Sequence, residues 1–300
     1  MEIPTGFIET EAHGFHIITR PVYHNIVVSL AARDPERVLG GTAAVNGLQP
    51  DDPGPMEGRG PRLEIPLPDG EILLLKKQRR GGLYGKLVGD VFRDHWRAVS
   101  DIALSETAWK KGVPVAQLAF ALSAPAGTGR LAAYRRAYVA SVKVPGARSL
   151  MQWLNADITR TERRLVLETA AAAINRAHDR GFTHGDLNLG NILVVKSERG
   201  EYTACLIDLA HSTLGGTLVF EKRLDQLMRL FRSAEKWLPD DDLQRRLRHV
   251  MRFMRTYTQH ERGQARRYVE ASSRYGVSLF LHRLSWKTSR SGSVSPGRRA

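Results

Sequence analysis

Three hundred residues, 42% of them apolar, are enough for sizeable hydrophobic cores, and a formal charge of +14 calls for an anionic partner or surface. The single cysteine excludes an internal disulfide, no apolar run approaches the length needed to cross a bilayer, and Met1 to Phe15 lacks the basic start and apolar block of an export signal. Basic residues are dispersed through helical segments (Arg229, Arg232, Lys236, Arg245, Arg246, Arg248) without interleaved aromatics, so nucleic acid is not the expected partner.

From about His16 to Ala140 the pattern is one of strands with a single helix, interrupted by a Gly/Pro/Asp-rich stretch, Leu39 to Pro61, that reads as a loop. Gly58 and Gly60 are the candidate phosphate-contacting turn within it and Gly40-Gly41 a weaker one, although isolated glycines in such a stretch also serve as plain linker. The strand Glu71 to Lys77 ends in two lysines whose side chains must point to opposite faces, so only Lys76 or Lys77 can enter a binding site. A helix from about Asp94 to Lys111 carries Glu106 and stops at Gly112, with Pro114 beyond. Lys143 to Gly146 is the crossing into the second half.

Between Thr159 and Asp179, Leu167, Ala170, Ile174 and Ala177 recur every three or four residues, the apolar stripe of a helix stopped at Gly181. His184-Gly185-Asp186-Leu187-Asn188-Leu189-Gly190-Asn191-Ile192-Leu193 follows, with the layout of a kinase catalytic loop. In that layout an Asp orients and deprotonates the accepting hydroxyl and an Asn five residues on holds magnesium; here they are Asp186 and Asn191. Ile192 to Val195 and Ala204 to Ile207 read as two strands of a hairpin, and the second delivers Asp208, where such enzymes place another metal-binding carboxylate. A plain surface turn would also use Gly, Asn and Asp, but would leave the spacing of His184, Asp186, Asn191 and Asp208 unexplained. With such a loop downstream, a strand lysine and a helix glutamate are required upstream, and Lys76 with Glu106 is the expected ion pair. Cys205 reads as a small core residue. Further on, Leu224, Leu227, Met228 and Phe231 share one helical face, as do Leu243, Leu247, Val250 and Met254, with Asp240-Asp241-Asp242 capping the second helix.

Arg79-Arg80-Gly81-Gly82-Leu83 after the lysine strand, Val142 to Leu150, His184-x-Asp186-Leu187-Asn188-x-x-Asn191, and Ile207-Asp208-Leu209 together resemble the bacterial lipopolysaccharide core kinases, the Kdo kinase and heptose kinase group. The resemblance runs from about Gly58 to about Trp237. It implies an α+β, two-lobed, protein-kinase-like fold: an N-lobe antiparallel sheet plus one helix over 1–142, with the loop at about 39–61, a mainly helical C-lobe over 143–286, and a flexible basic tail over 287–300. It implies ATP and Mg2+ as cofactors and transfer of the γ-phosphoryl group to a sugar hydroxyl of the lipopolysaccharide inner core. Asp186, Lys76 and Glu106 take catalytic roles, Asn191 and Asp208 hold metal, Lys76, Gly58, Gly60, Asn191 and Asp208 contact the nucleotide, and Arg79 and Arg80 meet an anionic acceptor. The expected setting is the cytoplasmic face of the inner membrane, with peripheral contact to its anionic leaflet; the oligomeric state stays open.

Three departures bear on the transfer of roles. Asp208-Leu209-Ala210 stands where protein kinases have Asp-Phe-Gly, so less backbone freedom is expected at Ala210. Gly185 replaces the arginine that clamps a phosphorylated activation loop, and Asn188 stands where serine/threonine kinases place a lysine; both favour small or sugar acceptors over proteins. Two other readings stand beside this one: a phosphotransferase of the aminoglycoside or choline kinase type, whose cationic acceptors suit Arg79 and Arg80 poorly, and a pseudokinase scaffold that binds nucleotide or anionic glycolipid.

Overall fold

The chain opens on a two-residue hairpin. Strands β1 (Ile8–Ala12) and β2 (Phe15–Thr19) pair with Ala12 opposite Phe15, so His13 and Gly14 alone make the turn, and both have the positive φ (51° and 77°) that the matching turn twist requires. The computed structural model describes residues 2–39, 50–51, 62–78, 91–93, 97–127, 133–237 and 243–273. Gly58, Gly60, Arg79, Arg80, Asp240 to Asp242 and the tail over 287–300 lie outside them, as does most of the stretch from Leu39 to Pro61. The chain divides into two units, 1–146 and 147–300.

In the first unit the hairpin is followed by helices α1 (His24–Ala32) and α2 (Pro35–Leu39), strands β3 (Pro50–Asp51), β4 (Arg62–Pro66) and β5 (Ile72–Lys77), helix α3 (Arg97–Lys110), and strands β6 (Leu118–Pro125) and β7 (Arg135–Val142). The strands form one antiparallel sheet in the order β1-β2-β6-β7-β5-β4-β3. Alternation gives it two apolar faces. Leu73 and Leu75 of β5, Ile17, Leu122 and Tyr138 pack with Val27 and Leu30 of α1 and Val38 and Leu39 of α2. Ile18, Ala121 and Val139 pack with Val99 and Ile102 of α3 on the opposite side. Full burial of a Val or Ile is worth about 1.5–3 kcal/mol, so these contacts hold α3 to the sheet. The sequence marks α3 through its stop at Gly112; α1 and α2 are additions to the single expected helix.

The second unit contains β8 (Arg148–Ser149), α4 (Leu150–Asn155), α5 (Arg160–Asp179), β9 (Phe182–Thr183), β10 (Ile192–Lys196), β11 (Tyr202–Leu206), β12 (Thr213–Leu214), α6 (Phe220–Trp237), α7 (Leu243–Tyr257) and α8 (Arg262–Ser273). Two helices begin in reciprocal capping boxes, Ser149 with Gln152 and Thr159 with Glu162. The expected stripe of α5 is buried throughout: Leu167, Ala170, Ile174 and Ala177. Gly181 then turns the chain with φ 75°, and a Cβ there would lie 2.3 Å from Gly215 O, so both its conformation and its surroundings demand glycine. Strands β10 and β11 form the expected hairpin, Ile192 opposite Leu206. On α6, Leu224, Leu227 and Met228 are buried, and Phe231 meets Phe253 of α7 edge-on at 5.7 Å. Met254 of α7 is buried too.

Candidate active site

The loop between β9 and β10 is built around a buried histidine. His184, 2% exposed, accepts from Asp186 N–H at Nδ1 (3.1 Å), so its proton belongs on Nε2, which donates to Ile207 O at 2.8 Å. Burial pulls its pKa below the ordinary range and keeps the ring neutral, the state this pair of bonds needs. Its own N–H donates to Gln226 Oε1 of α6 at 3.0 Å.

Asn188 shapes the rest of the loop. Its Oδ1 accepts from Gly190 N–H (2.8 Å) and Asn191 N–H (3.2 Å), capping a single 3-10 turn, Leu189–Asn191. Its Nδ2 donates to Asp186 Oδ2 at 2.9 Å, which fixes one carboxylate oxygen. Asn191 Nδ2 donates to Asp186 O at 2.9 Å. The Ile207 peptide is pinned at both ends, its N–H to Asn191 O (3.0 Å) and its carbonyl to His184. Asp208, next in the chain, is exposed and has φ 61°, a left-handed conformation that Asp tolerates better than most residues. Asp186 is thereby tied to Asn191 through a side-chain amide, and Asn191 to the residue before Asp208 through a main-chain bond.

Two expectations about this loop change. The positive φ values fall on Asp208 and His211 (60°), not on Ala210, so Ala210 needs no glycine. Gly185 answers to packing: a Cβ there would lie 2.1 Å from Ala210 O and 2.7 Å from His211 C. Gly185 N–H donates to Ser212 Oγ at 3.0 Å, and Arg229 Nη1 donates to Gly185 O, which ties the loop to α6 and to the segment after Asp208.

In the first unit, Lys76 pairs across the ladder with Val139, a member of the α3-facing cluster, so Lys76 lies on the α3 face. Lys77 lies on the other face, where Nζ donates to Glu36 Oε1 of α2 at 2.6 Å. Glu106 is 6% exposed, but its ion partners among the described residues are Arg20 (2.7 Å) and Lys110 (3.5 Å), not the expected Lys76. The reason is positional: Arg20 directly follows β2, three strands across the sheet from β5. Sequence reasoning passed over Arg20 and also the second buried acid of α3, Asp101, which accepts from Gln78 Nε2. Only the spacing of Asp101 from the buried Val99, Ile102 and Ser105 hints at it.

The donor set suits a hard cation. Asn191 Oδ1 and the Asp208 carboxylate are oxygen ligands of the kind magnesium takes. A solved structure described as WaaP in complex with acyl carrier protein superposes with a TM-score of 0.52 over 89% of this chain and 97% of that one, at 18% identity. Strand order, helix placement and that likeness define a protein-kinase-like fold.

Within that fold, the model of the lipopolysaccharide kinase (Kdo/WaaP) family matches residues 69–257, and the chain belongs to this family. Two curated relatives are 3-deoxy-D-manno-octulosonic acid kinases of Haemophilus influenzae. The protein of strain PittEE is 28% identical over 154 residues, 49% of this chain and 61% of that protein. The protein of strain KW20 / Rd is 28% identical over 166 residues, 54% of this chain and 65% of that protein. The matched region thus spans less than two thirds of either relative.

Proposed function

We propose that this chain is an ATP-dependent kinase that transfers the γ-phosphoryl group to a sugar hydroxyl of the lipopolysaccharide inner core, on Kdo or heptose. The observation that carries the reading is the Ile207 peptide, bonded on one side to Asn191 and on the other to His184, which fixes Asp208 beside the Asp186 loop. Family membership and the two Kdo kinase relatives support the acceptor class.

The local bonds support the roles of Asp186, Asn191 and Asp208. Asp186, with Oδ2 held by Asn188, presents its other oxygen to the attacking hydroxyl, orients it and takes its proton as the new P–O bond forms and the bridging bond to the departing ADP breaks. Asn191 and Asp208 would hold magnesium, which would offset the negative charge of the phosphates. Lys76 is the proposed phosphate contact of the first unit. Arg79 and Arg80, together with the overall +14 charge, suit an anionic core sugar and a peripheral contact with an anionic membrane surface. No helix among the described residues is long and apolar enough to cross a membrane.

Incubation with labelled ATP, Mg2+ and lipid A–core precursors, followed by mass spectrometry, tests the proposal. One added phosphate on a core sugar is the expected product. Phosphorylation of small aminoalcohols or aminoglycosides alone would favour the small-molecule phosphotransferase, and nucleotide binding without any phosphorylated acceptor would favour the pseudokinase.

A further inference from the structure

We infer that Asp101, not Glu106, is the acid of α3 that orients Lys76 toward the phosphates of a bound nucleotide; the inference rests on the kinase reading above. The sheet order decides between the two acids. Lys76 is on β5, and β7, β6 and β2 lie successively beyond it. At about 4.8 Å per strand, β2 stands roughly 14 Å from β5. Glu106 is anchored at the β2 side by Arg20 Nη2 at 2.7 Å, and Arg20 is itself seated over the Phe7 ring, 4.7 Å from its centroid. Lys110, one turn further along α3, also meets Glu106 and draws it toward the helix C-terminus.

Asp101 is anchored at the β5 side. Gln78 N–H donates to Ala137 O, so the ladder continues one residue past Lys77 and places Gln78 on the same face as Lys76, roughly 7 Å along the strand. Gln78 reaches across that face to Asp101 Oδ2, while its own Oε1 is buried without a hydrogen-bond partner among the described residues, so the carboxylate is what fixes the amide. Asp101 is 9% exposed and Gln78 8%. Asp101 and Glu106 are separated by about 7.5 Å of helix rise. A lysine two residues from Gln78 on the α3 face therefore has Asp101 as its near acid and Glu106 as its far one. A buried carboxylate at that place would hold the Lys76 ammonium aimed, which is a positioning role exerted through the lysine.

The test is nucleotide affinity, measured by titrating Mg2+ with a non-hydrolysable ATP analogue into the full chain, with thermal melts as a folding control. Asp101→Asn is expected to weaken binding about tenfold to a hundredfold, and Glu106→Gln to weaken it several-fold less. Asp101→Glu, which keeps the charge, is expected to restore most of the affinity and keeps the question decidable if Asp101→Asn does not fold. In double-mutant cycles Lys76→Met should be non-additive with Asp101→Asn and close to additive with Glu106→Gln. Additivity with Asp101 and coupling to Glu106 would overturn the assignment, as would a loss in Asp101→Glu equal to that in Asp101→Asn. Wild-type chain that binds the analogue but phosphorylates no core sugar, with the couplings as stated, leaves Asp101 in place and removes only the acceptor.

Discussion

His184 Nε2 donates to Ile207 O at 2.8 Å, and the same ring accepts the Asp186 N–H at 3.1 Å, so one neutral imidazole sets the separation between the proposed base and the carboxylate that follows Ile207. Replacing it with Ala takes the shared partner from a part-buried carbonyl and a part-buried N–H. His184→Ala is expected to cost about 2–4 kcal/mol of stability and to slow transfer at least about tenfold through loss of loop geometry. Urea unfolding and steady-state rates check this; wild-type rates in a destabilised protein would show that the imidazole only packs.

Asp186 is exposed, so its neutralisation leaves the fold standing. Asp186→Asn is expected to reduce phosphoryl transfer about 10²- to 10⁴-fold with an unchanged melting temperature. Turnover close to wild type would take Asp186 out of the chemistry.

The opposite faces of β5 give two neighbouring lysines different surroundings. Lys77 binds Glu36, which also accepts from Tyr138 OH, so Lys77→Ala is expected to lose about 0.5–1 kcal/mol of stability while transfer continues. Lys76→Ala is expected to harm transfer far more than stability. Equal kinetic losses in the two variants would mean that β5 does not present Lys76 to the phosphates.

At position 185 even one methyl group meets main chain, 2.1 Å from Ala210 O. Gly185→Ala is expected to destabilise by about 1–3 kcal/mol and to displace the segment after Asp208. Thermal melts together with Mg2+-dependent nucleotide titration would register both; an unperturbed variant would mean that this segment gives way freely.

Acid should weaken the fold through two histidines. His178 is buried, its Nδ1 2.7 Å from Tyr257 OH, and burial pushes its pKa down to about 3 from an ordinary 6.5. Folded chain therefore refuses a proton that unfolded chain accepts, so stability is unaffected above about pH 6.5 and falls as pH drops from there toward about 3. The slope approaches about 1.4 kcal/mol per pH unit per histidine, and His184 adds in the same direction because burial lowers its pKa too. Urea unfolding at pH 7, 6 and 5 should show the decline, and His178→Phe should flatten it. A wild-type stability equal at pH 7 and pH 5 would contradict the burial of these rings.

Local signals were enough for the helix that leads into the loop, since Thr159 and Glu162 cap it, its stripe is continuous and Gly181 ends it. The hairpin carrying Asp208 was equally legible from two apolar runs and a polar turn. Alternation alone put Lys76 and Lys77 on opposite faces. The choice between Asp101 and Glu106 was not legible, because both sit on the buried side of one helix and only the order of strands beneath it tells which end each acid serves. Helices α1 and α2 escaped for a related reason: they are short, and their apolar residues gain meaning from the sheet face they cover. Gly185 was read by what it lacks, an arginine; the backbone of residues 210 and 211 lying against it could come only from the folded chain.

The hairpin that delivers Asp208 also shelters the chain's single cysteine. Cys205 sits in β11 with its thiol pushed up to about 11 by burial, so at neutral pH it is almost wholly protonated and slow toward maleimides. A cysteine introduced at an exposed position of the neighbouring turn, such as Glu198, would take a fluorophore or spin label selectively against the native background, giving a reporter beside the loop without further engineering.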